Sequence, residues 1–374
     1  MKRAIHTIAV VLCTLLAACA TPQPPAPEFL FHDDLFAAPS ERMSSEQVFA
    51  VSAAMKRFLG AEITSRLRTR GVQTGLIEAL HRKGQLRLEY DASTTRNAAE
   101  AFDARAGNCL SLVLMTAAFA KELGLHVRFQ SAYLEEIWSR SGDLLLRSGH
   151  VNVTLGPRID DRTSSLAQSL TVDFLPANQL RGLRTREISE QTVVAMYMNN
   201  RAVEALVRGG LDDSYAWARE AILQSPDFLA AQNTLGIVYS RHGNLPQAAA
   251  VFNHVLERDP VHTRAMSNLA EVYMRQGREA EANGLYRTLA QIEPEPPFHY
   301  FNLGLAAMQR DDFATARDLF AREVALAEYS AELHFHLGVA NYRLGDVRQA
   351  TKHLTIALEN STSRGDRDVY SAKL

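Results

Sequence analysis

Apolar residues fall in three successive patterns along this chain. The first is helical. Val48, Val51, Met55, Phe58 and Leu59 recur at three- and four-residue steps, predicting a helix from about 44 to 59 with Ser44 or Ser45 as cap. Leu76, Ile77 and Leu80 mark a second helix, and Asn97 to Phe102 a short third one. Leu110 to Leu123 is almost wholly apolar, free of Gly and Pro, and stopped by Gly124, which predicts a buried helix. The second pattern has period two. Leu86, Leu88 and Tyr90 alternate with polar residues, His126 opens an extended run reaching Ile137, and Arg140 to Asp143 has turn chemistry. In 150–155, His150, Asn152 and Thr154 take one face of a strand and Val151, Val153 and Leu155 the other. Residues 158–169 read as a polar loop, and Ser169 to Phe174 as a strand stopped by Pro176. The third pattern is a 34-residue repeat that begins near residue 195, with Pro226, Pro260 and Pro294 in register.

Residues 41–190 therefore predict an α+β domain, an antiparallel sheet with the 110–123 helix packed on it. The repeat is similar to the tetratricopeptide (TPR) pattern: Leu-Gly-x-x-Tyr, then Ala-x-x-x-Phe, then Pro. Leu235, Gly236, Tyr239, Ala248, Phe252 and Pro260 fit it closely. Leu269, Tyr273, Ala282 and Pro294 follow, then Leu303, Gly304, Ala316 and Phe320, with Glu328 where Pro belongs. Leu337, Gly338, Ala350 and Leu354 make a further unit, and a weaker one runs over 195–228. An all-α solenoid of about five repeats over 195–362 follows, with a tail at 363–374. TPR solenoids hold protein or peptide partners, so such a partner is expected in the groove.

The N-terminus changes the picture of where the chain works. Lys2 and Arg3 precede an apolar run, Ala4 to Leu16, too short for a typical spanning helix. Leu16-Ala17-Ala18-Cys19 resembles a bacterial lipobox, which implies removal of residues 1–18 and acylation of Cys19; a plain secretory signal is the alternative. Ala20 in place of Asp implies the periplasmic face of the outer membrane. Residues 19–40 then form a tether, with four prolines in Thr21 to Pro27. Losing residues 1–18 takes the formal charge from −2 to −4 and leaves Cys109 as the one thiol without lipid. No basic surplus points to nucleic acid.

Cys109 follows the turn residues Gly107 and Asn108 and opens the apolar helix. There its sulfur faces unpaired N–H groups and the positive end of the helix dipole, which favours a thiolate nucleophile. By position alone it reads also as a small core residue. His150 and Asp173 lie on neighbouring predicted strands, where an imidazole and a carboxylate can meet. His150 is otherwise a sheet-face residue, and Asp173 a turn cap. Gly107-Asn108-Cys109, His150-Val151-Asn152-Val153 and Val172-Asp173-Phe174-Leu175-Pro176 resemble, in order and setting, the transglutaminase-like superfamily, a papain-like fold. The resemblance covers about 90–180 and implies Cys109 as nucleophile, His150 as general base and acid, and Asp173 as its orienter. It implies attack on an amide or ester carbonyl through a thioester, with Asn108 and Trp138 at the substrate. The Cys109 N–H is a natural oxyanion donor, and no second donor is assignable. No metal or cofactor is expected. His334 and His336 point to different helix faces, and no Gly-rich phosphate loop follows a strand. Two functions remain: a lipid-anchored thiol acyltransferase or amidase, or a non-catalytic TPR assembly lipoprotein whose thiol domain only binds.

Overall fold

A computed structural model of the chain describes residues 25–41, 44–63, 71–81, 88–92, 94–141, 144–158, 169–174, 184–361 and 363–374. The expected signal segment, Cys19 and most of the tether lie outside the described residues, as do Pro176 and the interior of the 158–169 loop. Short helices come first: α1 (Ser45–Val48), α2 (Ala53–Phe58), a wider turn over Leu59–Ile63, and α3 (Val72–His81). The single helix expected over 44–59 is broken at Phe49–Ser52. Ser52 leaves helical geometry, and its hydroxyl accepts the Met55 N–H at 3.2 Å, starting α2 afresh. Periodicity runs across the break because Val48 and Met55 enter the same core.

Next come β1 (Glu89–Tyr90), α4 (Ala98–Ala104), β2 (Ala106–Gly107) and α5 (Cys109–Glu122). The two strands pair in parallel, with Tyr90 opposite Gly107. Every residue of α5 from Leu110 to Ala120 is buried. The sheet follows: β3 (Leu125–Ser141), β4 (Leu144–Arg158), β5 (Leu170–Val172) and β6 (Arg184–Ile188), in the antiparallel order β5-β4-β3-β6. Strand β6 has no counterpart in the sequence reading. It is an edge strand, Arg-Thr-Arg-Glu-Ile, whose charges blunt the edge and erase the apolar alternation. His150, Asn152 and Thr154 are as buried as Val151, Val153 and Leu155, so both faces of β4 are covered.

Five helical hairpins follow. They are α6 (Glu190–Val207) with α7 (Leu211–Gln224), α8 (Leu229–His242) with α9 (Leu245–Arg258), and α10 (Thr263–Arg275) with α11 (Glu279–Ile292). Then come α12 (His299–Gln309) with α13 (Phe313–Leu326), and α14 (Ala331–Arg343) with α15 (Val347–Asn360). The expected tail holds a last helix, α16 (Arg364–Ser371), on which Tyr370 stacks against Phe335 at 4.8 Å. The first hairpin starts at Glu190 because the Ser189 hydroxyl caps it, accepting the Thr192 N–H at 3.1 Å. Small residues set the helix spacing. A Cβ added to Gly236 would lie 2.5 Å from the Phe252 ring, and one added to Gly304 would lie 2.5 Å from the Phe320 ring. Gly304→Val should therefore cost about 1–3 kcal/mol, read as a lower urea midpoint. An unchanged midpoint would show that these helices separate without penalty.

One apolar core runs from the N-terminal helices and sheet through the first repeats to Ala282, and a second, smaller one from Phe298 to Ala340. Residues 28–40 strap onto the first repeats. Leu30 is fully buried, Phe36 stacks on Tyr215 at 4.0 Å, and the Tyr239 hydroxyl donates to the Leu30 carbonyl at 2.8 Å. The Ala37 and Ser40 N–H groups donate to Asp212 and Asp213 at 2.8 and 2.6 Å.

Candidate functional site

The turn before α5 is built for close approach. A Cβ on Gly107 would fall 2.6 Å from the Ser111 Cβ, so only glycine lets the chain pass this near the helix it is about to enter. Asn108 is the N-cap. Its Oδ1 accepts the N–H and hydroxyl of Ser111, both at 2.9 Å. Its Nδ2 donates to the Thr95 hydroxyl at 2.8 Å. Both ends of the amide are thus spent on holding the helix start, which makes Asn108 a positioning residue. Cys109, half-buried, stands at the first position of α5.

His150 and Asp173 meet as the register requires. Val153 pairs with Val172, so Asn152 comes opposite Asp173 and His150 lies two residues along on the same face. The His150 Nε2 lies 2.8 Å from both carboxylate oxygens of Asp173, and the Asn152 Nδ2 donates to Oδ2 at 3.3 Å. A carboxylate only accepts, so Asp173 holds the proton on Nε2 and leaves Nδ1 as the basic atom. Nδ1 is buried and makes no full hydrogen bond among the described residues. Burial opposes a charged ring, yet the interactions with Asp173 and with Cys109 more than offset it and raise the His150 pKa to about 9. The thiol, the imidazole and the carboxylate therefore share one centre. At neutral pH that centre holds a protonated imidazole against the thiol.

Two residues that the motif reading passed over complete the geometry. Asn152 is one; the period-two alternation of 150–155 already set it on the His150 face. Tyr90 is the other. Its ring is 37% exposed, and its phenol lies close enough to the Cys109 backbone N–H and side chain for both to act on its pKa. Burial and the Cys109 charge push the Tyr90 pKa well up, against the opposing pull of that N–H, so the phenol keeps its proton. The alternation of Leu86, Leu88 and Tyr90 marks Tyr90 as a strand residue, and the parallel pairing of β1 with β2 brings it beside the Cys109 turn. A cleft of about 270 Å³ opens beside it, lined by Glu89, Asp91, Arg96, Ala106 and Arg367 of α16. Arg96 pairs with Asp91 at 2.9 Å. Trp138 lies in β3, its side chain outside the described residues. His334 faces His353, not His336, with Nδ1 atoms 3.0 Å apart. Among the described residues no three His, Cys, Asp or Glu side chains gather as a metal site.

No curated protein matches the chain. Solved structures similar to it include MamA, residue 41 to its end, from Desulfovibrio magneticus RS-1, at 23% identity over 44% of this chain and 94% of that one, with a TM-score of 0.26. A thermophilic TPR protein of Thermus thermophilus is 17% identical over 48% of this chain and 98% of its own, with a TM-score of 0.31. PilF of Pseudomonas aeruginosa is 17% identical over 50% and 90%, with a TM-score of 0.29. The tetratricopeptide-repeat family matches residues 233–297 and 301–363, and the four hairpins across that span are TPR repeats.

Proposed function

We propose that this protein is a lipid-anchored cell-envelope thiol enzyme of transglutaminase-like type, whose repeats bring a protein substrate or partner to it. The observation that carries the reading is the convergence of Cys109, His150 and Asp173, with His150 held to Asp173 through Nε2 and close enough to Cys109 for the sulfur to raise its pKa. In the reaction the Cys109 sulfur attacks an amide carbonyl carbon. The one proton that Cys109 and His150 hold between them passes from His150 to the departing amine as the C–N bond breaks, and a thioester remains. Water or a second amine then attacks the thioester, losing its proton to His150 and releasing the thiol. The Cys109 N–H supports the oxyanion, and Tyr90, displaced by the carbonyl oxygen, has a proton to donate to it. Lipidation at Cys19 and residence on the periplasmic face of the outer membrane belong to the same reading. They rest on the lipobox-like sequence.

The test is the rate at which iodoacetamide alkylates Cys109 across pH, in the wild type and in His150→Ala. The wild type should react at neutral pH at least about tenfold faster than the variant. Equal rates at every pH would sink the enzyme and leave the scaffold, with the TPR repeats as its working part.

A further inference from the structure

The nucleophile helix is held from the solenoid. Glu204 and Asn200 lie on α6, the first helix of the first hairpin. The Glu204 Oε1 accepts the Thr95 N–H at 2.7 Å. Thr95 is 2% exposed. Its hydroxyl oxygen receives Asn108 Nδ2 at 2.8 Å and Asn200 Nδ2 at 3.3 Å. Asn108 Oδ1 then takes the Ser111 N–H at 2.9 Å, and Ser111 Oγ takes the Arg96 N–H at 2.8 Å.

This chain of bonds has a direction. The Ser111 N–H can only donate, so the Asn108 atom that faces it is the carbonyl oxygen. Asn108 must therefore present its NH₂ to Thr95 and its carbonyl to the helix. Flipping that amide would set its NH₂ against the Ser111 N–H, donor against donor, and leave the first turn of α5 uncapped. Cys109 sits on that turn, between the cap and Ser111, and the bonding line to His150 depends on where the turn lies.

We propose that Glu204 is a positioning residue for Cys109, acting through Thr95 and Asn108, so that α6 of the repeat domain sets the nucleophile of the neighbouring domain. The proposal rests on the thiol reading for its functional meaning, while the positioning itself can be measured without it. It makes the thiol and the solenoid one coupled unit, in which whatever moves α6 moves Cys109.

The experiment compares the full-length wild type with Glu204→Ala, Glu204→Gln, His150→Ala and Asp227→Asn. Asp227 pairs with Arg258 on the solenoid surface, away from the chain of bonds, and controls for general damage to the repeats. Two readouts are taken: the iodoacetamide rate of Cys109 across pH, and hydrogen exchange of the Ser111 amide. Glu204→Ala should slow alkylation about tenfold through misplacement of the thiol, shift its pH profile, and speed Ser111 exchange. Glu204→Gln keeps an acceptor for the Thr95 N–H but gives up the charge, so it should fall between. Asp227→Asn should match the wild type. If folded Glu204→Ala keeps both the wild-type alkylation profile and the wild-type Ser111 exchange, the proposal is overturned. If His150→Ala alkylates like the wild type, the thiol reading fails, and Ser111 exchange still decides the positioning.

Discussion

Glu323→Ala should remove about 3 kcal/mol or more from the stability of the C-terminal repeats. Glu323 lies on α13 and is 6% exposed. Its carboxylate accepts three backbone N–H groups at the start of α12: Phe298 and Tyr300 at 2.9 Å, and Phe301 at 3.1 Å. Those amides are orphan donors of a helix N-terminus, and all three residues are buried, so water cannot take over. The negative charge also faces the positive end of the helix dipole. Phe298 stands at φ 62, the left-handed region, which this anchoring over-determines. Alanine deletes the acceptors and the charge together. Glu323→Gln keeps an acceptor and should lose about half as much. Urea unfolding, with hydrogen exchange of the α12 amides, separates the cases. An alanine variant as stable as the wild type would mean that the α12 start satisfies itself.

The pair of His150 with Asp173 should make stability fall as pH rises. His150 has an ordinary value of 6.5 and is raised to about 9 in the fold. The folded state therefore binds a proton that the unfolded chain gives up first. Its stabilisation is whole below 6.5 and drains away as pH climbs through about 9. The size at stake is about 3 kcal/mol. Asp173→Ala should cost the N-terminal domain a part of that at neutral pH, since Cys109 supplies the rest of the shift, and the gap to the wild type should narrow on the alkaline side. Urea midpoints on both sides of the window, in both proteins, check this. Parallel curves would show that the carboxylate does not hold the imidazolium.

Much of this could be read from residue order, and the reasons differ by element. The repeats were legible because each buries the same small and large residues at the same interval, so Gly236 with Phe252 and Gly304 with Phe320 are spelled out in the chain. The start of α5 was legible from Asn108, whose side chain acts three residues away. His150 and Asn152 were legible as one face of a strand, and the register later set Asp173 across from them. Tyr90 and Glu204 were not. Each reaches the thiol turn through pairing between segments distant in sequence, and the alternation that marks Tyr90 as a strand residue does not say which strand it pairs with. Strand β6 was hidden for another reason, since an edge strand facing water has no apolar beat to hear.

The strap over the first repeats decides how the molecule bears load. Any pull on the N-terminus reaches Phe36, stacked on Tyr215, and the carbonyl of Leu30, held by Tyr239, before it reaches any helix of the thiol domain. Below them, Asp212 and Asp213 grip the backbone at Ala37 and Ser40. Tension must therefore break contacts to two different repeat helix pairs before it moves the strap. Force would pass into the solenoid and leave the Cys109 turn slack.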